Sequence, residues 1–327
     1  MRFPARRSIE PVHAGDRLRM SLRNKALIWA LRRWIKPASL RDRDIAEIRA
    51  LSQRVPFGAK LLLGWRIRTE HGAALNGEWI EPSAPDHAAR DRCILYFHGG
   101  GYVAMSPRTH RSMTSRLATW SNARLFALDY RLAPEHSFPA ALEDALSAYR
   151  ALIAIGASPS RMIVAGDSAG GGLALALLLA LRDAGDPLPA GAVLFSPWTD
   201  LAATGESIVT NNAADPLFFG SWVAPAARHY LADTPATNPL ASPIYADLTG
   251  LPPLFIQAGD SEVLLDDSRR VAEKAKKAGV EVTIQIWRGV PHCWQIFAPV
   301  LPEGRDALRA ASAFIASRLS YTSAPER

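Results

Sequence analysis

Short apolar runs and helical repeats take turns along most of this chain. The runs 93–97, 124–128, 162–165, 192–195, 254–257 and 282–287 have the pattern of strands, and 93–97 is continuously apolar, as expected of a strand buried on both faces. Between them, apolar positions recur at helical spacing over about 109–120, 140–155, 169–182, 266–278 and 305–319. Such alternation implies an α/β fold, a mostly parallel sheet with helices on both faces, whose sites lie at the carboxyl ends of the strands. Two earlier runs, 60–68 and 78–80, flank the polar stretch 71–76 and predict an antiparallel start to the sheet.

Two stretches stand outside this rhythm. Near the N-terminus Leu18, Leu22, Leu27, Ile28, Leu31, Trp34 and Ile35 predict an amphipathic helix over 16–35, ended by Pro37. A second helix, from after Ser39 to about Arg54, carries Ile45, Ile48 and Leu51 on one face. Between about 202 and 249 the alternation lapses for longer than an ordinary connection, and Phe218, Phe219, Trp222, Tyr230 and several prolines there predict a small helical insertion or lid. Residues 320–327 read as a frayed tail.

The 327 residues, 48% hydrophobic and 21% charged, suit one large α/β domain with additions better than two equal domains. The net charge of +7 is unevenly placed: residues 1–60 hold 15 Lys and Arg against 5 Asp and Glu, a balance of +10, which leaves −3 for the rest. No nucleic-acid reader motif accompanies the basic arm, so its charges are read as solvated helix faces and no nucleic-acid partner is expected. Its helices are expected to pack on the parent domain rather than on a membrane. The longest apolar stretch, 172–181, is too short to span a bilayer, so no stable membrane insertion is expected. Cys93 and Cys293 offer no disulfide framework, and residues 1–10 have no apolar run behind them; both observations point to a cytoplasmic protein.

The candidate chemistry begins with Gly166-Asp167-Ser168-Ala169-Gly170, set between the run 162–165 and an Ala/Leu-rich helical stretch. That is the strand, sharp turn and helix context of a nucleophile elbow, in which flanking glycines allow close approach and the serine hydroxyl projects at the sheet edge. The bland alternative is a serine that caps the following helix. The strand 93–97 delivers His98-Gly99-Gly100-Gly101-Tyr102. Acyl transfer develops negative charge on a carbonyl oxygen, and converging backbone N–H groups stabilise it. In an α/β-hydrolase such a loop follows the third strand and acts with the N–H of the residue after the nucleophile, here Ala169. A rival reading takes Gly99-x-Gly101-x-x-Ala104 with Asp129 as a dinucleotide fingerprint, but His98 precedes the first glycine and Pro107 with a polar run separates the glycines from the next helix.

Of eight histidines, His292 follows the strand 282–287 and precedes the last helix, where the order Ser, acid, His places a base. The acid that orients it is sought after the strand 254–257, where Asp260, Glu262, Asp266 and Asp267 are all in position. His-Glu-x-x-His and Gly-x-x-x-x-Gly-Lys are absent, and neither a metal nor a cofactor is expected.

Together, His98-Gly99-Gly100-Gly101, Asp129-Tyr130-Arg131-Leu132-Ala133-Pro134-Glu135, Phe138-Pro139-Ala140-Ala141, the pentapeptide 166–170, Ser196-Pro197-Trp198 and His292 resemble the hormone-sensitive-lipase-like family of α/β-hydrolase esterases, in its Gly-Asp-Ser-Ala-Gly branch. The matching pieces spread over about two thirds of the chain, in the family's order. The resemblance implies an eight-stranded α/β-hydrolase sheet, a helical cap, and oxyanion donors at the N–H groups of Gly100, Gly101 and Ala169. Arg131 and Glu135 would brace the loop beside the site. The family's acid lies in a pattern like Asp-x-Leu-x-Asp-Asp/Glu, which falls here on Glu262-Val263-Leu264-Leu265-Asp266-Asp267. Glu262 thus stands where aspartate is usual, with Asp260 as runner-up.

The organisation expected is an N-terminal cap segment over 1–55, hydrolase core over 56–201, a cap insertion over 202–249 and the rest of the core over 250–327. The activity expected is that of a serine carboxylesterase acting on short- to medium-acyl esters through Ser168, Glu262 and His292. A lactone hydrolase or an amidase would use the same machinery. The other readings are a membrane-docked lipase and a ligand-binding receptor of the plant-hormone kind; those receptors lack the histidine that is retained here. Trp198, Trp222 and Trp294 are candidate pocket liners, and the edge strand 282–287 is open to pairing across a homodimer.

Overall fold

Alternation within each apolar run decides which helices cover which side of the sheet. In the computed structural model, which describes residues 20–37, 44–53, 61–84 and 87–320, the central strand β3 (Cys93–Phe97) is buried on both faces. Cys93, Leu95 and Phe97 point into one apolar cluster, whereas Ile94 and Tyr96 point into another. Around it lie β1 (Trp65–His71), β2 (Asn76–Pro82), β4 (Arg124–Leu128), β5 (Met162–Asp167), β6 (Gly191–Phe195), β7 (Leu254–Gly259) and β8 (Val282–Trp287). They form one eight-stranded sheet in the order β1-β2-β4-β3-β5-β6-β7-β8, as the resemblance implied. β2 pairs antiparallel with β1 and β4, and the neighbours from β4 to β8 are parallel. β8 is the edge strand expected from the sequence.

The helices are α1 (Leu22–Ala30), α2 (Ile45–Ser52), α3 (Arg111–Ser121), α4 (Ala140–Ala154), α5 (Ala169–Ala184), α6 (Ser207–Thr210), α7 (Val223–Leu231), α8 (Leu265–Lys277) and α9 (Pro302–Leu319). Helices α3 and α9 cover one face of the sheet through Met113, Leu117, Leu308 and Ile315. Helices α4, α5 and α8 cover the other through Leu142, Leu173, Leu177 and Val271. Because β4 and β5 flank β3 on opposite sides, the direction of winding reverses at β3, and the crevice at the carboxyl ends of β3 and β5 is the place such a sheet offers a ligand.

Several bounds differ from the sequence reading. The first hairpin runs from Trp65 to Pro82 with its turn over 72–75, because ladder pairing of His71 with Asn76 extends both strands through polar residues that alternation marked as loop. The first helix starts at Leu22, where Ser21 Oγ accepts the N–H of Asn24 at 3.1 Å, and it runs on through a wider turn over Leu31–Ile35. The second is capped by Asp44, which accepts the Glu47 N–H at 2.7 Å. The expected helix residues 16–19, 39–43 and 54, the start of the strand at Lys60 and the tail 321–327 lie outside the described residues. The stretch 202–249 holds the short helices α6 and α7, in keeping with its helical content as read from the sequence.

Burial on both faces makes the central strand intolerant of shortened side chains. Ile94→Ala, at a site with no solvent exposure, is expected to cost about 2–5 kcal/mol in urea unfolding, whereas Ile155→Ala, 56% exposed, is expected to stay within about 0.5 kcal/mol.

Candidate active site

Four strand ends deliver the candidate groups to one edge of the sheet. β5 runs straight into α5, and the residue between them, Ser168, takes φ 54° and ψ −122°, a backbone conformation unfavourable for a side chain. The turn closes so tightly that a Cβ at Gly166 would stand 2.2 Å from Gly170 O, and one at Gly170 would stand 2.1 Å from Phe97 O. Both glycines are therefore sterically required. Ser168 donates its N–H to Phe195 O at 2.9 Å, and its carbonyl accepts from Gly172 and Trp198. Its side chain remains half-buried, presented at the strand end rather than used as a helix cap.

The loop after β3 turns through positive φ at Gly100, Gly101 and Tyr102. Gly100 O accepts the N–H groups of Val103 and Ala104, so this turn is closed by its own backbone. Asp167, the residue before Ser168, accepts the Gly99 N–H at 3.0 Å and the Tyr96 hydroxyl at 2.6 Å. The glycine loop and the serine turn are thus tied to each other through one carboxylate.

The third and fourth groups come from β7 and β8. His292 Nδ1 lies 2.7 Å from Glu262 Oε2, and both side chains are buried. Glu262 Oε1 accepts the Ser196 hydroxyl at 2.8 Å and the Gly259 N–H at 2.5 Å, so the carboxylate is held from three sides. Gly259 also makes room for the longer acid, since a Cβ there would stand 3.0 Å from Oε1. Ser196 Oγ accepts the Cys293 N–H at 3.3 Å, and Phe195, its neighbour, holds Ser168, so residues 195–196 lie between the serine turn and the histidine turn. Burial disfavours a charged ring at His292, but Glu262, with help from Asp215, outweighs it and holds the imidazole above its ordinary value. The remaining nitrogen, Nε2, is buried and has no hydrogen-bond partner among the described residues.

The other carboxylates considered from the sequence are engaged elsewhere. Asp260 accepts the Gly289 N–H at 2.8 Å, and Asp266 accepts the Ser207 N–H at 2.8 Å. Asp267 accepts the N–H groups of Thr199 and Asp200 at 2.7 and 2.8 Å. Backbone amides claim all three, and only Glu262 reaches the imidazole.

The insertion supplies aromatic cover. Phe218 stacks on Trp222 at 5.3 Å between ring centroids and meets the His292 ring in a T-shaped contact with centroids 5.4 Å apart, while Trp222 Cη2 lies 3.4 Å from where a Cβ on Gly101 would be. Trp222 therefore borders the site, as anticipated. Trp198 is nearly fully buried, and Trp294 packs in a small core with Val290, Leu301 and Ala307; both are core residues, because residues at strand ends face inward as readily as toward the crevice. The N-terminal helices reach the same region. Lys36 Nζ donates to the carbonyls of Asn212 and Asp215, and Arg49 donates to Val103 O and Ala133 O while it pairs with Glu135 at 2.7 Å. Arg131 turns away, to Asp144 and Glu143.

One set of residues escaped the sequence reading. Asp167 enters the sequence reading only as a member of the Gly-Asp-Ser-Ala-Gly pentapeptide and His110 not at all, yet the two meet at 3.2 Å, both buried. A charged residue ending a wholly apolar strand was the available signal, because a buried carboxylate demands a partner.

An α/β sheet with a serine on a strained turn and a carboxylate–imidazole pair beside it defines the protein as an α/β-hydrolase. A sequence profile described as alpha/beta hydrolase fold matches residues 94–296, and the chain belongs to that family. An acetyl-hydrolase of Streptomyces hygroscopicus is 50% identical over 238 residues, 73% of this chain and 78% of its own length. An esterase of Acinetobacter venetianus is 37% identical over 253 residues, 77% and 82% of the two chains. A crystal structure of an esterase from the bacterial hormone-sensitive lipase family superposes with a TM-score of 0.86 at 42% identity, covering 93% of this chain and all of that one. The family expected from the sequence is thus the family found, and with it the enzyme class, carboxylic ester hydrolase. Among the described residues no helix is long and apolar enough to cross a membrane.

Asp267 provides a test of the electrostatics around the site. Burial first, and Asp200 nearby, push its carboxyl up to about 7 from the ordinary 3.8. A group whose folded value is raised stabilises the fold below its unfolded value, and that contribution is lost as pH rises through the folded value. Asp267→Asn, neutral at every pH, is therefore expected to flatten the fall in Tm between about pH 4 and pH 7, with the Tm of the wild type and variant diverging toward neutral pH.

Proposed function

We propose that the protein is a serine carboxylesterase that hydrolyses short- to medium-acyl carboxylic esters. Ser168 is the nucleophile, His292 the general base and acid, and Glu262 the carboxylate that orients the ring. The N–H groups of Gly100, Gly101 and Ala169 are the oxyanion donors. The observation that carries the reading is the 2.7 Å contact of His292 Nδ1 with buried Glu262, which leaves Nε2 unpartnered at the sheet edge where Ser168 is presented.

Each step follows from the roles. Nε2 takes the Ser168 proton as the hydroxyl oxygen attacks the ester carbonyl, and Glu262 stabilises the imidazolium so formed. The negative oxygen settles on the backbone donors, which need no reorganisation because the turns at Gly100, Gly101 and Ser168 are already set. The imidazolium then protonates the departing alcohol. Water, deprotonated by the same nitrogen, releases the carboxylic acid and restores the serine. Phe218 and Trp222 wall the space between the base and the glycine loop, which favours compact acyl groups, and the name of the acetyl-hydrolase relative supports the short end of the range. The helices α1 and α2 and the stretch 202–249 act as the cap, with Lys36 and Arg49 as its attachments. The described residues within 56–201 and 250–327 form the core that the cap covers.

The test is a p-nitrophenyl ester series of increasing acyl length. Activity is expected to peak at short chains; Ser168→Ala is expected to lose on the order of 10⁴-fold or more in kcat, and Glu262→Gln on the order of 10³- to 10⁴-fold. Asp260→Asn, whose amide oxygen can still accept the Gly289 N–H, should stay within about threefold of wild type, in line with a residue outside the acyl-transfer machinery. Since His292 must be neutral to act as base, kcat/KM should rise with pH through a midpoint above the ordinary histidine value of 6.5. Hydrolysis that survives Ser168→Ala would overturn the mechanism.

A further inference from the structure

Under the glycine loop lies a cluster that the reaction steps above do not use. Asp167 Oδ1 accepts from Tyr96 Oη and from the Gly99 N–H, and its Oδ2 faces His110 Nε2 at 3.2 Å. The other His110 nitrogen, Nδ1, lies 2.9 Å from Thr109 Oγ1 and 3.2 Å from Ser106 O. The Thr109 hydroxyl proton is itself committed to Ser106 O at 2.7 Å, so Thr109 presents a lone pair to the ring. Both nitrogens of His110 thus face acceptors, and a ring in that setting needs both protons. Neighbouring His98 is the opposite case. Its Nδ1 meets Gly99 O at 2.7 Å, its Nε2 is buried without a partner, and its ring stacks on Tyr130, so it is neutral.

Resting on the esterase reading above, we propose that His110 is a positioning residue, a buried imidazolium that neutralises Asp167 and so, through the Asp167 bond to Gly99, fixes the Gly100 and Gly101 donors beside Ser168. The physical need is clear. Asp167 directly precedes the nucleophile and grips the loop on which the oxyanion forms. Left unpaired, its negative charge would oppose the developing oxyanion; protonated, it would grip Gly99 and Tyr96 less firmly, because a neutral carboxyl oxygen is a weaker acceptor than a carboxylate. A cation against Oδ2 removes both difficulties.

The electrostatics agree. Burial lifts the Asp167 carboxyl, but the charge of His110 and the hydrogen bonds from His110 and Tyr96 outweigh it and hold it down at about 2. Burial lowers His110, yet Asp167 raises it above its ordinary value on balance. His98 is driven down to about 3 by burial and by His110. The groups facing His110 are Asp167 from β5, Tyr96 from β3 and His98 from the loop after it, while Arg111, next along α3, is taken by Glu78. Of these, only the His110–Asp167 pair carries charge at neutral pH. As pH rises through the raised value of His110, the imidazolium is lost and Asp167 stands uncompensated, so kcat should show an alkaline limb.

The experiment compares wild type, His110→Gln, His110→Gln/Asp167→Asn and Ser168→Ala on p-nitrophenyl acetate from neutral to alkaline pH, with nitrogen-15 histidine NMR of the wild type. His110→Gln is expected to lower kcat on the order of 10- to 100-fold with KM nearly unchanged and to abolish the alkaline limb. The double variant, which removes both charges, should recover part of that loss, something that damage to packing alone would not do. NMR should show one histidine ring, absent from the His110→Gln spectrum, that carries both protons at neutral pH. Should that variant fail to fold, resonances assigned in the wild type answer the question directly. A neutral His110 ring, or a folded His110→Gln enzyme with wild-type kcat and alkaline limb, overturns the proposal while ester hydrolysis through Ser168 stands. A wild type that hydrolyses no ester, or no faster than Ser168→Ala, overturns the esterase reading and this role with it.

Discussion

The close approach of β5 to α5 at Ser168 is the constraint on which the rest depends. For the turn to close, Gly170 must lie against the carbonyl oxygens of Phe97 and His98, which no side chain would permit. That contact sets the spacing of β3 and β5, and hence the place where the glycine loop leaves the sheet. Strain at the serine, at φ 54°, is held by bonds to Phe195, Gly172 and Trp198. The surrounding strands are buried on both faces, so the turn is over-determined and its hydroxyl has little freedom to stray.

Around this turn, buried charge is arranged so that no carboxylate lacks donors. Glu262 is met by His292, Ser196 and Gly259; Asp167 by Tyr96, Gly99 and His110. Asp215 accepts three backbone amides, those of Leu217, Phe218 and Val263, which ties the aromatic wall to the residue beside Glu262. Most of these bonds lie in the buried interior, where a missing partner costs more than a present one contributes. The same rule separates His98, whose Nδ1 meets a carbonyl and whose ring stacks on Tyr130, from His110 and His292, which each lean on a carboxylate.

The N-terminal helices bear on the site through long cationic side chains more than through apolar contact. Lys36 reaches two carbonyls and the face of Phe219, and Arg49 spans the exit of the glycine loop and the turn at Ala133. Both arginine and lysine bury their stems while the charged head finds oxygen, which lets a basic segment attach to a near-neutral body. These two residues show that a part of the positive charge of residues 1–60 has a structural use.

What the sequence determined by itself was everything carried by local pattern. Apolar runs and helical spacing marked a segment of each of the eight strands and the helices over the sheet, because burial leaves a mark on consecutive residues. Glycines around Ser168 and after Phe97 were legible for the same reason, as backbone conformations that other residues resist. Local pattern left Asp260, Glu262, Asp266 and Asp267 open and the family resemblance favoured Glu262; the tertiary structure adds that Glu262 contacts a histidine thirty residues away while nearby backbone amides engage the other three. Tertiary structure alone also paired Asp167 with His110, 57 residues apart, and sent Trp222 to the site but Trp294 to the core. Contacts between distant segments follow from how layers stack, and no periodicity along the chain records them.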